Sequence, residues 1–192
     1  DEEYLPVLIE EILRFVEKTD GKAFVLFTNY QSLRYCTDAL RGYFSENGIR
    51  LLVQGENLTR SGLLRQFRED VDSVLFGTDS FWTGVDVPGE ALSNVIVTKL
   101  PFASPGHPLI RARMARIEAE GRSSFTEYSL PEAVLKFRQG VGRLIRSRSD
   151  RGIIVLLDRR VLTKNYGRLF LDSLPYRFEQ MCPSASRRAS RR

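Results

Sequence analysis

The chain has 192 residues, of which 42% are hydrophobic and 28% charged, with 29 Lys and Arg against 24 Asp and Glu for a formal charge of +5. That length supplies one well-sized hydrophobic core, and the composition is that of a globular domain. No run approaches the ~18 consecutive apolar residues of a helical membrane span, and the acidic start, Asp1-Glu2-Glu3, is unlike a signal peptide.

Taken in chain order, Leu5, Leu8, Ile9, Ile12 and Val16 recur at helical spacing and predict an opening helix within residues 1–22. Ala23-Phe24-Val25-Leu26-Phe27 is an apolar run that feeds the polar loop Thr28-Asn29-Tyr30 and reads as a first strand. A helix over 31–46 is predicted to stop at Gly48. A strand over 49–53 ends at Gln54-Gly55, and a short helix follows over 60–69. Val74-Leu75-Phe76, ending at Gly77-Thr78, and Val95-Ile96-Val97, ending before Lys99-Leu100-Pro101, are the third and fourth strands. Helices are predicted over 108–120 and 131–146, a fifth strand over 153–157, and a last helix over 161–171.

Strands that are apolar on consecutive residues are covered on both faces. Alternating with helices, they predict an α/β layer fold around a parallel sheet. Ligands of such sheets bind beyond the carboxyl ends of the strands. Those ends carry Thr28-Asn29-Tyr30, Gln54-Gly55, Gly77-Thr78 and Lys99, which predicts one shared functional rim, although connecting loops are polar in any case. The domain is placed at 23–175, with a helical insertion at about 105–129 and a basic, disordered tail over 176–192. Two isolated cysteines, Cys36 and Cys182, have neither metal-ligand nor disulfide-framework spacing, so a reducing, intracellular setting is expected. Beginning at Asp1, the chain is expected to be part of something longer.

The net charge is less informative than its distribution. Setting aside Arg187, Arg188, Arg191 and Arg192 leaves 25 basic against 24 acidic residues. Residues 136–151, by contrast, hold six bases and a single acid, Asp150. On a helix, Val134, Phe137, Val141, Leu144 and Ile145 fall within an arc of about 100°, with Gln139, Arg143 and Arg146 within about 60° on the opposite side. No acid lies three or four residues from Arg143, and Asp150 alone is so placed for Arg146. Two guanidinium groups aimed together suit the charge that spreads over a transferring γ-phosphoryl group, and a solvated polar helix face is the plainer reading. Gly140 and Gly142 are each unfavourable in a helix by roughly 1 kcal/mol and predict a close approach to this backbone.

The segment 76–90 reads as a long loop after the third strand. In it Gly77, Gly84 and Gly89 permit tight turns, and Thr78, Ser80 and Thr83 offer hydroxyl donors. Asp86 suits a ribose hydroxyl or a turn, and Trp82 offers a stacking or a packing surface. His107, the single histidine, reads as a loop residue between Gly106 and Pro108. No residues point to a metal site. Gly21-Lys22 does not complete a phosphate loop, because position 16 is Val and position 23 is Ala.

Gln139-Gly140-Val141-Gly142-Arg143-Leu144-Ile145-Arg146 resembles motif VI, Q-x-x-G-R-x-x-R, of superfamily 2 helicases. Gly77-Thr78 with Ser80 to Gly89 resembles motif V in the form seen in the DinG and XPD group, and Phe27-Thr28-Asn29-Tyr30 resembles motif IV. Leu100-Pro101-Phe102, Leu157-Asp158-Arg159-Arg160 and Tyr166-Gly167 are also DinG-like, so the resemblance runs from about Ala23 to Pro175. Thr83 stands where relatives often carry Glu and receives no role.

The resemblance implies a RecA-like three-layer domain with a mainly parallel central sheet and helices on both faces. It implies the second motor domain of an ATP-dependent DNA helicase running 5′ to 3′ on single-stranded DNA. Arg143 and Arg146 would be arginine fingers and Gln139 a nucleotide sensor. Gly84 and Asp86 would border the nucleotide, while Thr28, Asn29, Tyr30, Gln54, Thr78, Ser80 and Trp82 would contact DNA or back those contacts. ATP and Mg2+ would be held mainly by a first RecA-like domain of the same polypeptide, which often carries a Cys-ligated iron–sulfur cluster. A cytoplasmic, nucleoid-associated location follows. Arg111, Arg113 and Arg116 of the insertion match no motif and read as a solvated face in preference to a DNA lining. The competing function is a RecA-like module without catalysis that binds nucleic acid or a protein partner.

Overall fold

The structure, a computed structural model, describes residues 4–82, 92–104, 106–142 and 152–181. Five strands form one sheet: β1 (Ala23–Leu26), β2 (Arg50–Val53), β3 (Ser73–Gly77), β4 (Asn94–Val97) and β5 (Ile153–Leu156). Their order is β2-β3-β1-β4-β5. Every pairing is parallel, with Ala23 of β1 opposite Val74 of β3 and Asn94 of β4. The expected mainly parallel sheet is thus wholly parallel among the described residues. The strand order turns at β1, with β2 and β3 on one side and β4 and β5 on the other. That switch point is where an open sheet leaves a crevice at its carboxyl ends.

The helices are α1 (Tyr4–Glu17), α2 (Tyr30–Glu46), α3 (Arg60–Glu69), α4 (Asp79–Trp82), α5 (Pro108–Ala119), α6 (Leu130–Val141), α7 (Arg160–Thr163) and α8 (Gly167–Asp172). A π-helical turn, Phe125–Ser129, runs directly into α6. Successive strand residues point to opposite faces, which explains why the apolar runs are continuous. Ala23, Val25, Phe27, Val74, Phe76 and Ile96 join Leu8, Ile12 and Phe15 of α1 and Leu33, Leu40 and Phe44 of α2 in one core. Phe24, Leu26, Leu75, Val95 and Val97 join Leu63 and Phe67 of α3, Phe81 and Trp82 of α4, Phe137 of α6 and Phe170 of α8 in the other. The result is the three-layer arrangement expected.

Residues 20–22 make a tight turn with positive φ at each residue. Gly21 has φ +84°, and a Cβ there would lie 2.5 Å from the Asp72 carbonyl oxygen. Lys22 then accepts, at its carbonyl, the Ser93 and Asn94 amides at 2.9 and 3.1 Å. Asn94, fully buried, donates its side-chain amide to the Phe15 carbonyl at 2.8 Å. These bonds tie the end of α1 to the start of β4.

Three expectations need correction, and a fourth is only partly covered by the described residues. The segment after β3 is not a loop from its outset, because α4 forms one helical turn there, closed by the Phe81 amide on the Thr78 carbonyl at 2.8 Å. The single helix expected over 161–171 is two, because Lys164 is extended between them. The helix expected over 131–146 is described to Val141, with Gly142 as its C-cap, and residues 143–146 lie outside the described residues. Finally, Tyr176 and Phe178 pack against the core, so the first residues of the supposed tail belong to the fold; residues 182–192 are outside the described range. The insertion forms α5, which buries none of its residues.

Candidate nucleic-acid interface

Gln54 leaves the end of β2 with its amide donating to the Phe76 carbonyl at 3.0 Å, which carries its side chain over the ends of β3 and β1. Its side-chain oxygen accepts the Thr78 amide at 2.6 Å and the Thr78 hydroxyl at 3.1 Å. Its side-chain nitrogen donates to the Tyr30 hydroxyl at 2.6 Å and the Ser80 hydroxyl at 3.0 Å. Two donated and two accepted bonds use the whole capacity of a carboxamide. Tyr30 and Ser80 each accept a hydrogen bond from Gln54, so their own hydroxyl hydrogens are left to be donated elsewhere. Both residues are exposed. A pair of hydroxyl donors beside the positive ends of two helices is a surface for an anion.

Two helices begin at this rim. Asn29, extended at φ −153°, caps α2 by accepting the Ser32 amide at 2.8 Å. Thr59 caps α3 by accepting the Gly62 amide at 3.2 Å. Neither helix has an acid in its first turn, so the positive end of each backbone dipole is left uncompensated. Arg60 opens α3, and its guanidinium lies 5.6 Å from the centre of the Phe81 ring. The sequence reading did not single out Arg60. Its signal was an arginine at the first position of a helix, where the dipole disfavours a cation unless an anion is to be bound.

Five of the seven residues expected to meet DNA, namely Thr28, Asn29, Tyr30, Gln54 and Ser80, stand at this rim with partial or full exposure. The other two do not. Thr78 is 2% exposed, and its hydroxyl and amide are both bonded to Gln54, so it holds the glutamine in place. Trp82 is fully buried and its indole N–H donates to the Phe27 carbonyl at 2.9 Å. Of the two roles open to it, stacking and packing, the structure assigns packing, because no face of the ring reaches solvent.

The close approach expected at Gly140 is also internal. A Cβ on Gly140 would lie 2.6 Å from Cε3 of Trp82 and 3.3 Å from Leu26, so the glycine seats α6 on the indole and not on a ligand. At Gly142 a Cβ would meet the Arg138 carbonyl oxygen at 2.8 Å. Phe137 and Val141 of α6 are buried while Gln139 faces outward, as the helical arcs require. Arg143, Arg146, Gly84 and Asp86 lie outside the described residues.

The rim does not continue across β4 and β5. Asp158 accepts the Leu100 amide at 2.8 Å, the Arg160 amide at 2.9 Å and the Arg160 guanidinium at 2.6 and 3.0 Å. Burial acts to raise the Asp158 pKa, but the bonds from Arg160 and the Leu100 amide outweigh it and hold the carboxyl below its ordinary value. Arg160 also lies 5.3 Å over the Phe102 ring, which is surrounded by Phe125, Tyr166 and Phe170. Lys99 sits 4.5 Å over the ring of Tyr4, whose hydroxyl donates to the Thr98 carbonyl. Lys99, expected on the shared rim, is therefore engaged with α1. Among the described residues no group of His, Cys, Asp and Glu is arranged to hold a metal ion. Cys36 is buried in α2, and burial pushes its thiol up to about 12.

The comparisons with known proteins bear on the family and the fold. A family model described as the helicase C-terminal domain matches residues 12–177. The chain is 44% identical over 175 residues to a Bacillus subtilis protein named 3′-5′ exonuclease DinG, covering 88% of this chain and 19% of that protein. It is 45% identical over 167 residues to the ATP-dependent DNA helicase YoaA of Haemophilus influenzae, covering 86% and 25%. The chain thus spans about a fifth to a quarter of the curated relatives it matches. Among solved structures, one titled XPD_APO aligns with a TM-score of 0.65 at 16% identity, over 88% of this chain and 34% of that one. Domain 2 of the DEAD-box helicase Mss116p, bound to an RNA duplex, aligns with a TM-score of 0.56 at 16% identity, over 88% and 56%. At that identity the two structures speak for the fold alone. The family match and the sequence relatives together establish that the chain belongs to the helicase C-terminal domain family, in the group that includes DinG and YoaA.

Proposed function

We propose that this chain is the second motor domain of an ATP-dependent DNA helicase running 5′ to 3′. The observation that carries the reading is the Gln54 hub, which leaves Tyr30 and Ser80 with donors to give beside the starts of α2 and α3. Phosphodiester oxygens accept such bonds without regard to base sequence, as a translocating strand requires. Arg60 adds a fixed positive charge, and Thr28 and Asn29 complete the track.

ATP is the substrate of the partner half of the site, a first RecA-like domain of the same polypeptide. Gln139, on the outward face of α6, reads the nucleotide, with Arg143 and Arg146 neutralising charge on the γ-phosphoryl oxygens and Gly84 and Asp86 bordering it. Mg2+ belongs to that first domain, beside the phosphates it neutralises. An iron–sulfur cluster takes four thiolate ligands, so with two cysteines here any such cluster would belong to the first domain. Closure of the two domains on ATP and reopening after hydrolysis would shift their grips along the strand.

The test has two parts. The chain alone should bind single-stranded DNA weakly, with affinity falling as salt rises, and should not hydrolyse ATP. In the full-length protein, Arg143→Ala should abolish DNA-stimulated hydrolysis while leaving the fold intact. Robust turnover by this chain alone, or normal turnover in the Arg143 variant, would remove the divided-site reading.

A further inference from the structure

Trp82 is the only tryptophan of the chain and is fully buried, yet it stands between the two functional surfaces. On one side its indole N–H is bonded to the carbonyl of Phe27, the residue immediately before Thr28-Asn29-Tyr30. Through the single turn of α4 it is joined to Ser80 and Thr78, both held by Gln54. On its other side the six-membered edge of the ring lies against the backbone of α6 at Gly140, the residue after Gln139 and three before Arg143.

This contact has no slack. A single added carbon at Gly140 would stand 2.6 Å from Cε3 and 3.1 Å from Cζ3 of the indole, well inside van der Waals contact. The helix cannot come nearer without displacing the ring. The ring cannot move without breaking a buried N–H bond to Phe27, and a buried donor left unpaired is strongly disfavoured. Displacement of the α4 turn is therefore passed to α6 and is not absorbed by loose packing.

We propose that Trp82 is a positioning residue, a strut through which a strand bound at the Tyr30–Gln54–Ser80 rim sets the placement of Gln139 on α6. The proposal rests on the motor reading given above. Position between two surfaces is not in itself coupling. The physical warrant is a contact that is closed at both ends, by the hydrogen bond at Phe27 and by the missing side chain at Gly140.

The experiment uses the full-length protein with Trp82→Phe, Gly140→Ala and the double variant, each first shown to unfold cooperatively. Trp82→Phe removes the indole N–H and withdraws the ring from α6. It should leave affinity for a dT oligonucleotide and DNA-free ATP turnover within about twofold, and lower the DNA-stimulated kcat by about tenfold, a coupling loss in the usual range. Gly140→Ala pushes the helix off the ring and should give the same split, so it carries the test should Trp82→Phe fail to fold.

In the double variant the alanine methyl occupies space vacated by the indole. Thermal stability should recover relative to Gly140→Ala, while stimulation should stay low, because the Phe27 bond is still missing. Recovery of both together would mean that the contact is packing alone and would overturn the proposal. So would unchanged stimulation in the folded single variants, or a loss of DNA affinity equal to the loss of stimulation. Wild-type protein without any DNA-stimulated turnover would instead sink the motor reading, and the strut with it.

Discussion

The carboxyl ends of β1, β2 and β3 and those of β4 and β5 lie on the same edge of one sheet, yet their polar groups are used in opposite ways. At the first, Gln54 spends its four bonds on neighbours so that Tyr30 and Ser80 are left with donors to give, and the two helices that start at this rim have no acid in their first turns. At the second, Asp158 and Arg160 satisfy each other, the Leu100 amide is taken up, and Lys99 lies on Tyr4. Polar residues at strand ends are thus not equivalent. A network that terminates in exposed donors leaves groups to meet a ligand, whereas one that closes on itself holds the fold together.

The largest effect that sharpens this contrast is expected at Asp158. Asp158→Ala leaves the Leu100 amide buried and unpaired, while the partly exposed Arg160 regains water. Stability to urea should fall by about 2–3 kcal/mol. Affinity for single-stranded DNA measured on the folded variant should be unchanged, and weakened binding would break the division between the two halves. The same carboxyl gives a pH signature. Its folded pKa lies below the ordinary value, so its contribution is present above about pH 4 and is lost as pH falls through the folded pKa. The wild type should lose part of its advantage over Asp158→Ala in that acid window, and a constant gap down to pH 2 would contradict the ion-pair account.

A smaller effect on stability and a larger one on binding are expected at Gln54. Gln54→Ala strands the Thr78 amide and releases the Tyr30 and Ser80 hydroxyls to turn freely. Unfolding free energy should drop by about 1 kcal/mol, and affinity for a dT oligonucleotide by about tenfold, read by fluorescence anisotropy at low salt. A stability loss with unaltered affinity would show that the hub is structural, as Asp158 is.

The smallest of the three is expected at the cap of α2. Asn29→Ala removes the acceptor for the Ser32 amide and should reduce stability by about 1 kcal/mol or less. Asn29→Asp keeps the cap but places an anion at the rim. It should preserve stability while weakening DNA binding more than Asn29→Ala does, and the reverse ranking would argue against an anionic ligand here.

Much of the fold was legible in the residues. Continuous apolar runs such as Phe24 to Phe27 require cover on both sheet faces, and the helices between them follow from spacing, so layer order and strand ends come through. The polar rim was legible at Gln54, Tyr30 and Ser80 because strand ends and motif matches pointed to the same places. Three features were not. Lys99 is as polar and as strand-terminal as Gln54, and nothing local tells that Tyr4, 95 positions earlier, lies beneath it. Gly140 signalled a close approach without naming the partner. Trp82 was open between stacking and packing because its burial depends on α6, almost sixty positions away.

Periodicity, strand-end chemistry and ordered motifs are properties of neighbouring residues, and these by themselves determined a parallel α/β domain, its membership in a helicase family and the general place of its rim. Which polar groups are spent and which remain to give depends on partners brought together from distant parts of the chain. Only the tertiary structure decided that Gln54 opens one half of the edge, that Asp158 closes the other, and that an indole fills the space a glycine leaves.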